Sequence, residues 1–193
     1  MGPYIRTNKV IFFKKYVYFL IAYLYTINLF SQNLDLDTFT DNINENELKN
    51  LIYVYSSDFF KGRETGKIGQ KRAVKFISEY YESLNIKEAD GTKNYFQKME
   101  LNISGNIVQT ENVVAIIEGS EKPNEYIIIS SHLDHEGEKN GFIYNGADDN
   151  GSGTIGVLKI AEAFQKAVLS GYRPKRSIVF LHLTGEEKGL LGS

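Results

Sequence analysis

Residues 125–134 read Glu125-Tyr126-Ile127-Ile128-Ile129-Ser130-Ser131-His132-Leu133-Asp134. Three consecutive isoleucines inside a short run have the texture of a strand buried on both faces, not of an alternating half-exposed one. A second such run, Ser177 to Leu183 (SIVFLHL), follows about fifty residues later, and Asn112 to Glu118 (NVVAIIE) precedes both. Between the first two lies a helical pattern from about Ser152 to Leu169, with Ile155, Leu158, Ala161, Phe164 and Val168 on one side. Two buried strands joined through a helix predict a parallel pair with a right-handed crossover. The fold class expected is α/β: a three-layer α/β/α domain around a mostly parallel, mixed sheet.

Working outward, Asn44 with Glu47 three residues on is an N-cap pattern, followed by Leu48, Leu51, Ile52 and Tyr55 at helical spacing. Lys61-Gly62-Arg63-Glu64-Thr65-Gly66 is a turn-rich break in which Gly62, Arg63 and Gly66 read as structural. A second amphipathic helix is predicted from about Gly69 to Leu84, with Ala73, Val74, Ile77, Tyr81 and Leu84 inward.

The N-terminus reads as something other than fold. Arg6, Lys9, Lys14 and Lys15 precede a weakly polar-to-apolar run, Tyr16 to Phe30, then Ser31 and Gln32. A basic flank, a short apolar core and a small residue are the parts of a secretory signal, and about 15 residues fall short of the ~20 that span a bilayer. Residues 1–31 are therefore expected to be a signal peptide, with an uncleaved membrane anchor or a misread translation start as alternatives. Leu29 is bulky for a cleavage site. Residues 32–46, rich in Asn and Asp, read as a linker, and 47–193 as the folded domain. The product is expected to be secreted or periplasmic.

Composition narrows the chemistry. The 193 residues are 24% charged and 42% apolar, near globular averages, and the net charge of -2 gives no electrostatic footprint for nucleic acid. With no cysteine, any metal must be held by His, Asp or Glu, and a thiol nucleophile is excluded. The His and acidic residues fall in three clusters: His132-Leu133-Asp134 after one strand, Asp148-Asp149 in the loop entering the helix, and Glu186-Glu187 after the other strand. Open α/β sheets bind ligands outside the carboxyl ends of their strands, so all three clusters are expected at one sheet edge. A nitrogen and oxygen donor set suits zinc, cobalt or manganese. In His-x-Asp, His132 can hold a metal while Asp134 accepts its other ring N–H. One of Glu186 and Glu187 can bind metal while the other stays free as a base.

The segments SHLDHEG, NGADDNGSG and TGEEKGLLGS resemble the successive metal-site motifs of the di-zinc exopeptidases of metallopeptidase family twenty-eight, the group of bacterial leucine aminopeptidases, aminopeptidase Y and glutamate carboxypeptidase. Upstream, SSDFFKGRETGKIGQKRAVKFI is similar to that family's lead-in, so the resemblance runs from about Leu51 to Ser193. It implies two Zn2+ ions and a peptide substrate, most often in an aminopeptidase. His132 would bind one zinc, Asp148 would bridge both, and Glu187 would bind the other. Glu186 would be the general base, Asp134 would orient His132, and Asp149 would follow Asp148 across a cis peptide. His135 and His182 are expected to be non-ligands. The resemblance also implies an Asp and a His ligand beyond Ser193, so the chain is expected to be C-terminally truncated, with an apolar strand edge exposed. The rival expectations are an inactive fragment or pseudoenzyme, a receptor-like binding domain, and a zinc glutaminyl cyclase-like acyltransferase.

Overall fold

The computed structural model describes residues 17–18, 37–41 and 43–193. The expected signal at 1–31 thus lies outside the described residues, apart from two positions. No described helix is long and apolar enough to cross a membrane. In the expected linker, α1 (Asp37–Thr40) is a single turn, and Glu45 and Asn46 already belong to the next helix.

That helix, α2 (Glu45–Tyr55), begins where the cap pattern predicts: the Asn44 side chain accepts the Glu47 N–H at 3.0 Å. Tyr55 is buried, and Leu48, Leu51 and Ile52 pack against the core. A 3-10 turn (Asp58–Arg63) follows, in which Lys61, Gly62 and Arg63 all take left-handed φ. Glycine is required at 62 because a Cβ there would sit 2.5 Å from the carbonyl oxygens of both Gly137 and Tyr144. Helix α3 (Ile68–Ser83) then buries Ala73, Val74, Ile77 and Tyr81, the face predicted from their spacing.

Seven strands follow: β1 (Lys87–Glu88), β2 (Phe96–Ile103), β3 (Asn106–Ile117), β4 (Lys122–His132), β5 (Gly137–Lys139), β6 (Phe142–Tyr144) and, after α4 (Ser152–Leu169), β7 (Arg176–Leu183). The main sheet runs β1-β3-β7-β4, with β2 also paired to β3, while β5 and β6 form a separate hairpin. The pair β4 and β7 is parallel, as the strand–helix–strand pattern predicts, with Ile127 opposite Ile178 and His132 opposite Leu183. This register brings the two strand ends level, and the Leu133 N–H donates to the Leu183 carbonyl at 2.7 Å.

Two expectations need correction. The sheet is mixed, but its other pairings among the described residues (β1 with β3, β2 with β3, β3 with β7) are antiparallel, where a mostly parallel sheet was expected. The helix layer lies on one face: Tyr81 of α3 and Phe164 of α4 both lean on Phe180 of β7, with ring centroids 6.2 and 6.5 Å away. Among the described residues the second helix layer is absent, in keeping with the expectation of a three-layer fold that is incomplete in this chain. The isoleucine run of β4 is not buried on both faces, since Tyr126, Ile127 and Ile128 are 57%, 49% and 60% exposed. Its composition is that of a covered strand, yet among the described residues β4 lies at the sheet edge and pairs on one side, to β7. The expected exposed apolar edge is this strand.

Candidate metal centre

His132 ends β4, and its ring is held on both sides. Nδ1 lies 3.0 Å from the main-chain carbonyl of Asp134 and 3.8 Å from the Asp134 carboxylate. Nε2 lies 3.0 Å from Asp149 Oδ1. The nearer acceptor for Nδ1–H is therefore the Asp134 carbonyl, not the carboxylate expected from the His-x-Asp pattern. The fully buried Asp134 carboxylate serves elsewhere: Oδ2 accepts the Thr65 hydroxyl at 2.6 Å, and Oδ1 accepts the Glu186 N–H at 3.2 Å. It thereby ties the end of β4 to the turn that follows β7.

Gly146 sets the course of the second loop. Its φ is +55°, and a Cβ there would lie 2.4 Å from the Asp149 carbonyl and 2.5 Å from the His135 ring. The loop can thus fold down onto His135 only with glycine at this position. The two adjacent aspartates then diverge. Both are exposed, but Asp149 meets His132, whereas Asp148 contributes its main-chain carbonyl to the Ser152 hydroxyl, 2.9 Å away. The cis peptide lies at Asp149–Asn150, one bond later than expected. The carboxylate between the clusters is therefore that of Asp149, not Asp148.

The third cluster sits on a 3-10 turn (Glu186–Lys188) directly beyond β7. Glu187 Oε1 lies 2.6 Å from His135 Nδ1, with both side chains mostly buried. Ligand atoms of His135, Asp149 and Glu187 all lie within 4.8 Å of one another. His135, expected to be a non-ligand, thus joins the cluster. The signal that could have found it is the second histidine of His132-x-x-His135, since a chain leaving a strand end and turning can bring two such rings to one side. The Glu186 carboxylate makes no ion pair or hydrogen bond among the described residues.

His182 stands apart, as expected. Wholly buried in β7, it contacts the Tyr81 hydroxyl through Nε2 at 2.7 Å and Ser131 Oγ through Nδ1 at 3.1 Å, and burial lowers its pKa to about 3. Beyond Ser131 the chain continues to Thr154 Oγ1 at 3.3 Å and on to the His132 carbonyl at 3.0 Å. That carbonyl can only accept, so the hydroxyls align toward it and Nδ1 of a neutral His182 carries the proton.

One imidazole and two carboxylates around one point, with the His132 imidazole against the Asp149 carboxylate and no sulfur, fit a borderline divalent ion such as zinc. The position agrees with the rule for α/β sheets, beyond the carboxyl ends of two parallel neighbours. Residues 112–193 match peptidase family M28. The resemblance to metallopeptidase family twenty-eight is thus shown over the segment that carries all three clusters. Among curated proteins, a probable glutamate carboxypeptidase, LAMP1, of Arabidopsis thaliana is 36% identical over 87 residues, 45% of this chain and 12% of that protein. A glutamate carboxypeptidase 2 homolog of Caenorhabditis elegans is 32% identical over 100 residues, 50% of this chain and 12% of that one. The matches thus span a small part of these relatives. Among solved structures, LapB from Legionella pneumophila superposes with a TM-score of 0.60 at 22% identity, over 83% of this chain and 40% of that one. A glutaminyl cyclase from an Acidobacteriales bacterium gives 0.57 at 20% identity, over 75% of this chain and 48% of that one. At those identities the likeness is one of fold, and it reaches well upstream of the M28 match.

Proposed function

We propose that this chain is the part of a zinc-dependent M28 exopeptidase that carries the general base and much of the metal site. The observation that carries the reading is the meeting of His135, Asp149 and Glu187 within the M28 match, with His132 in contact with Asp149, at the ends of β4 and β7. These four residues would hold the metal, in place of the set His132, Asp148 and Glu187 expected at first. By the resemblance, the complete set binds two Zn2+ and includes a further Asp and His. Bound zinc would supply Lewis acidity toward a peptide carbonyl and lower the pKa of water.

The remaining chemistry falls to the chain itself. Glu186 would accept a proton from the attacking water and pass it to the amine that leaves. The Asp134 carboxylate fixes the main chain of Glu186 through its N–H, so the base is anchored to the His132 loop. An aminopeptidase acting on unblocked peptides is the specific form we favour, exported through the signal at 1–31. The glutaminyl cyclase fold neighbours keep one second reading in play.

The test is made on the whole natural protein, with unblocked peptides, peptides ending in glutamate, and peptides beginning with glutamine. Release of free N-terminal amino acids supports the aminopeptidase, release of C-terminal glutamate a carboxypeptidase, and release of ammonia from N-terminal glutamine the cyclase. Glu186→Gln is expected to retain zinc and lose at least a thousandfold in turnover. Activity within tenfold of the parent would remove Glu186 from the role.

A further inference from the structure

Arg63, Glu64 and Thr65 lie outside the proposed ligand set, yet together they touch every segment that carries it. Arg63 is 1% exposed. Its Nε donates to the Leu133 carbonyl at 3.0 Å, Nη1 to the Asn145 carbonyl at 2.7 Å and the Tyr55 carbonyl at 3.2 Å, and Nη2 to the Gly146 carbonyl at 2.8 Å. The guanidinium carbon also lies 4.6 Å from the centre of the Tyr55 ring. A buried arginine is ordinarily matched by a carboxylate, but among the described residues Arg63 has no ion pair and spends its donors on main-chain oxygens. Three of those four oxygens belong to the loop after His132 and the loop before Asp149, and the fourth to Tyr55 at the end of α2.

Its neighbours complete the pattern. The Arg63 carbonyl accepts the His135 N–H at 3.3 Å. Thr65, 2% exposed, donates to Asp134 Oδ2, the carboxylate that anchors Glu186. Glu64 pairs with Lys188, next to Glu187, at 3.4 Å. The left-handed turn at Lys61, Gly62 and Arg63 aims this tripeptide inward.

We propose that Arg63-Glu64-Thr65 is a positioning clamp that registers the three metal-ligating segments against one another, with Arg63 and Thr65 setting metal affinity. The inference rests on the metal-site reading above. Arginine is needed because donors on three nitrogens of one rigid plane reach carbonyls on separate loops at once. A lysine ammonium concentrates its three donors at one point and cannot span them. The buried positive charge also acts on the carboxylates of Asp134, Asp149 and Glu187, and so offsets their mutual repulsion before metal enters.

The test uses the whole natural protein and Zn2+ as the probe, with affinity read by competition against a chelator. Arg63→Lys and Thr65→Val are compared with wild type and with Glu187→Ala. Both clamp variants are expected to bind Zn2+ at least tenfold more weakly, and the visible spectrum of bound Co2+ is expected to change. Thr65→Val, which keeps the side-chain shape, is expected to retain cooperative unfolding without metal, so it decides the matter if Arg63→Lys does not fold. A folded Thr65→Val with wild-type Zn2+ affinity and Co2+ spectrum would overturn the clamp alone. Wild type that binds no more Zn2+ than Glu187→Ala would overturn the metal-site reading, and the clamp with it.

Discussion

His182 offers a quantitative test of the core beneath the site. In the folded chain burial holds its pKa at about 3, against an ordinary value of 6.5. Between those values the unfolded chain binds a proton that the folded chain refuses, so this residue's contribution is fully present above pH 6.5 and is lost as pH falls toward 3. Each unit costs about 1.4 kcal/mol, so going from about pH 7 to about pH 4.5 should remove ~2.5 kcal/mol. The perturbation is His182→Gln, which removes the titration while leaving an oxygen to accept from Tyr81. Urea unfolding of the metal-free protein, wild type against variant, isolates the effect because other titrating groups cancel. The variant is expected to be less stable near pH 7 through lost packing, with the gap closing or reversing by ~2.5 kcal/mol near pH 4.5. A gap that stays constant across this range would refute a neutral, buried His182.

Two further outcomes follow from the geometry. Burial alone would raise the Glu162 carboxyl, but hydrogen bonds from Lys159, Tyr80 and Lys166 outweigh it and hold the group at about 2. Glu162→Gln should therefore cost about 1.5–3 kcal/mol near neutral pH, a loss that fades as pH falls from 4.5 through 2 in thermal melts. Gly146→Ala forces a Cβ against the Asp149 carbonyl and the His135 ring, and should cost about 1–3 kcal/mol while weakening Zn2+ binding in a titration.

The fold was legible where apolar periodicity was strong. The runs at 125–131 and 177–183, with the helix between them, announced the parallel pair, and helical spacing marked the buried faces of α2 and α3. Strand β2 was not legible, because Phe96-Gln97-Lys98-Met99-Glu100 carries charge and amide groups through a strand that is mostly exposed. An exposed apolar edge was expected, but that it is the isoleucine run of β4 could not be read, since such a run reports what a strand is suited to touch, not what covers it. At the site, the three clusters and their shared edge followed from strand ends. The choice between Asp148 and Asp149 did not, because neighbours in an irregular loop point in different directions and backbone path alone decides which meets His132. His135 escaped for the same reason, and Arg63 read as a turn residue because its partners are main-chain carbonyls, three of them 70 to 83 residues away, which leave no trace in sequence.

The central claim is that His132, His135, Asp149 and Glu187 form one metal centre, and paired aspartate variants test it most directly. Equilibrium Zn2+ binding would be measured on the whole natural protein and on Asp149→Ala, Asp148→Ala and Glu187→Ala. Asp149→Ala and Glu187→Ala are expected to lose at least about a hundredfold in affinity, with Asp148→Ala within about threefold of wild type. Loss of binding in Asp148→Ala with Asp149→Ala unaffected would contradict the account.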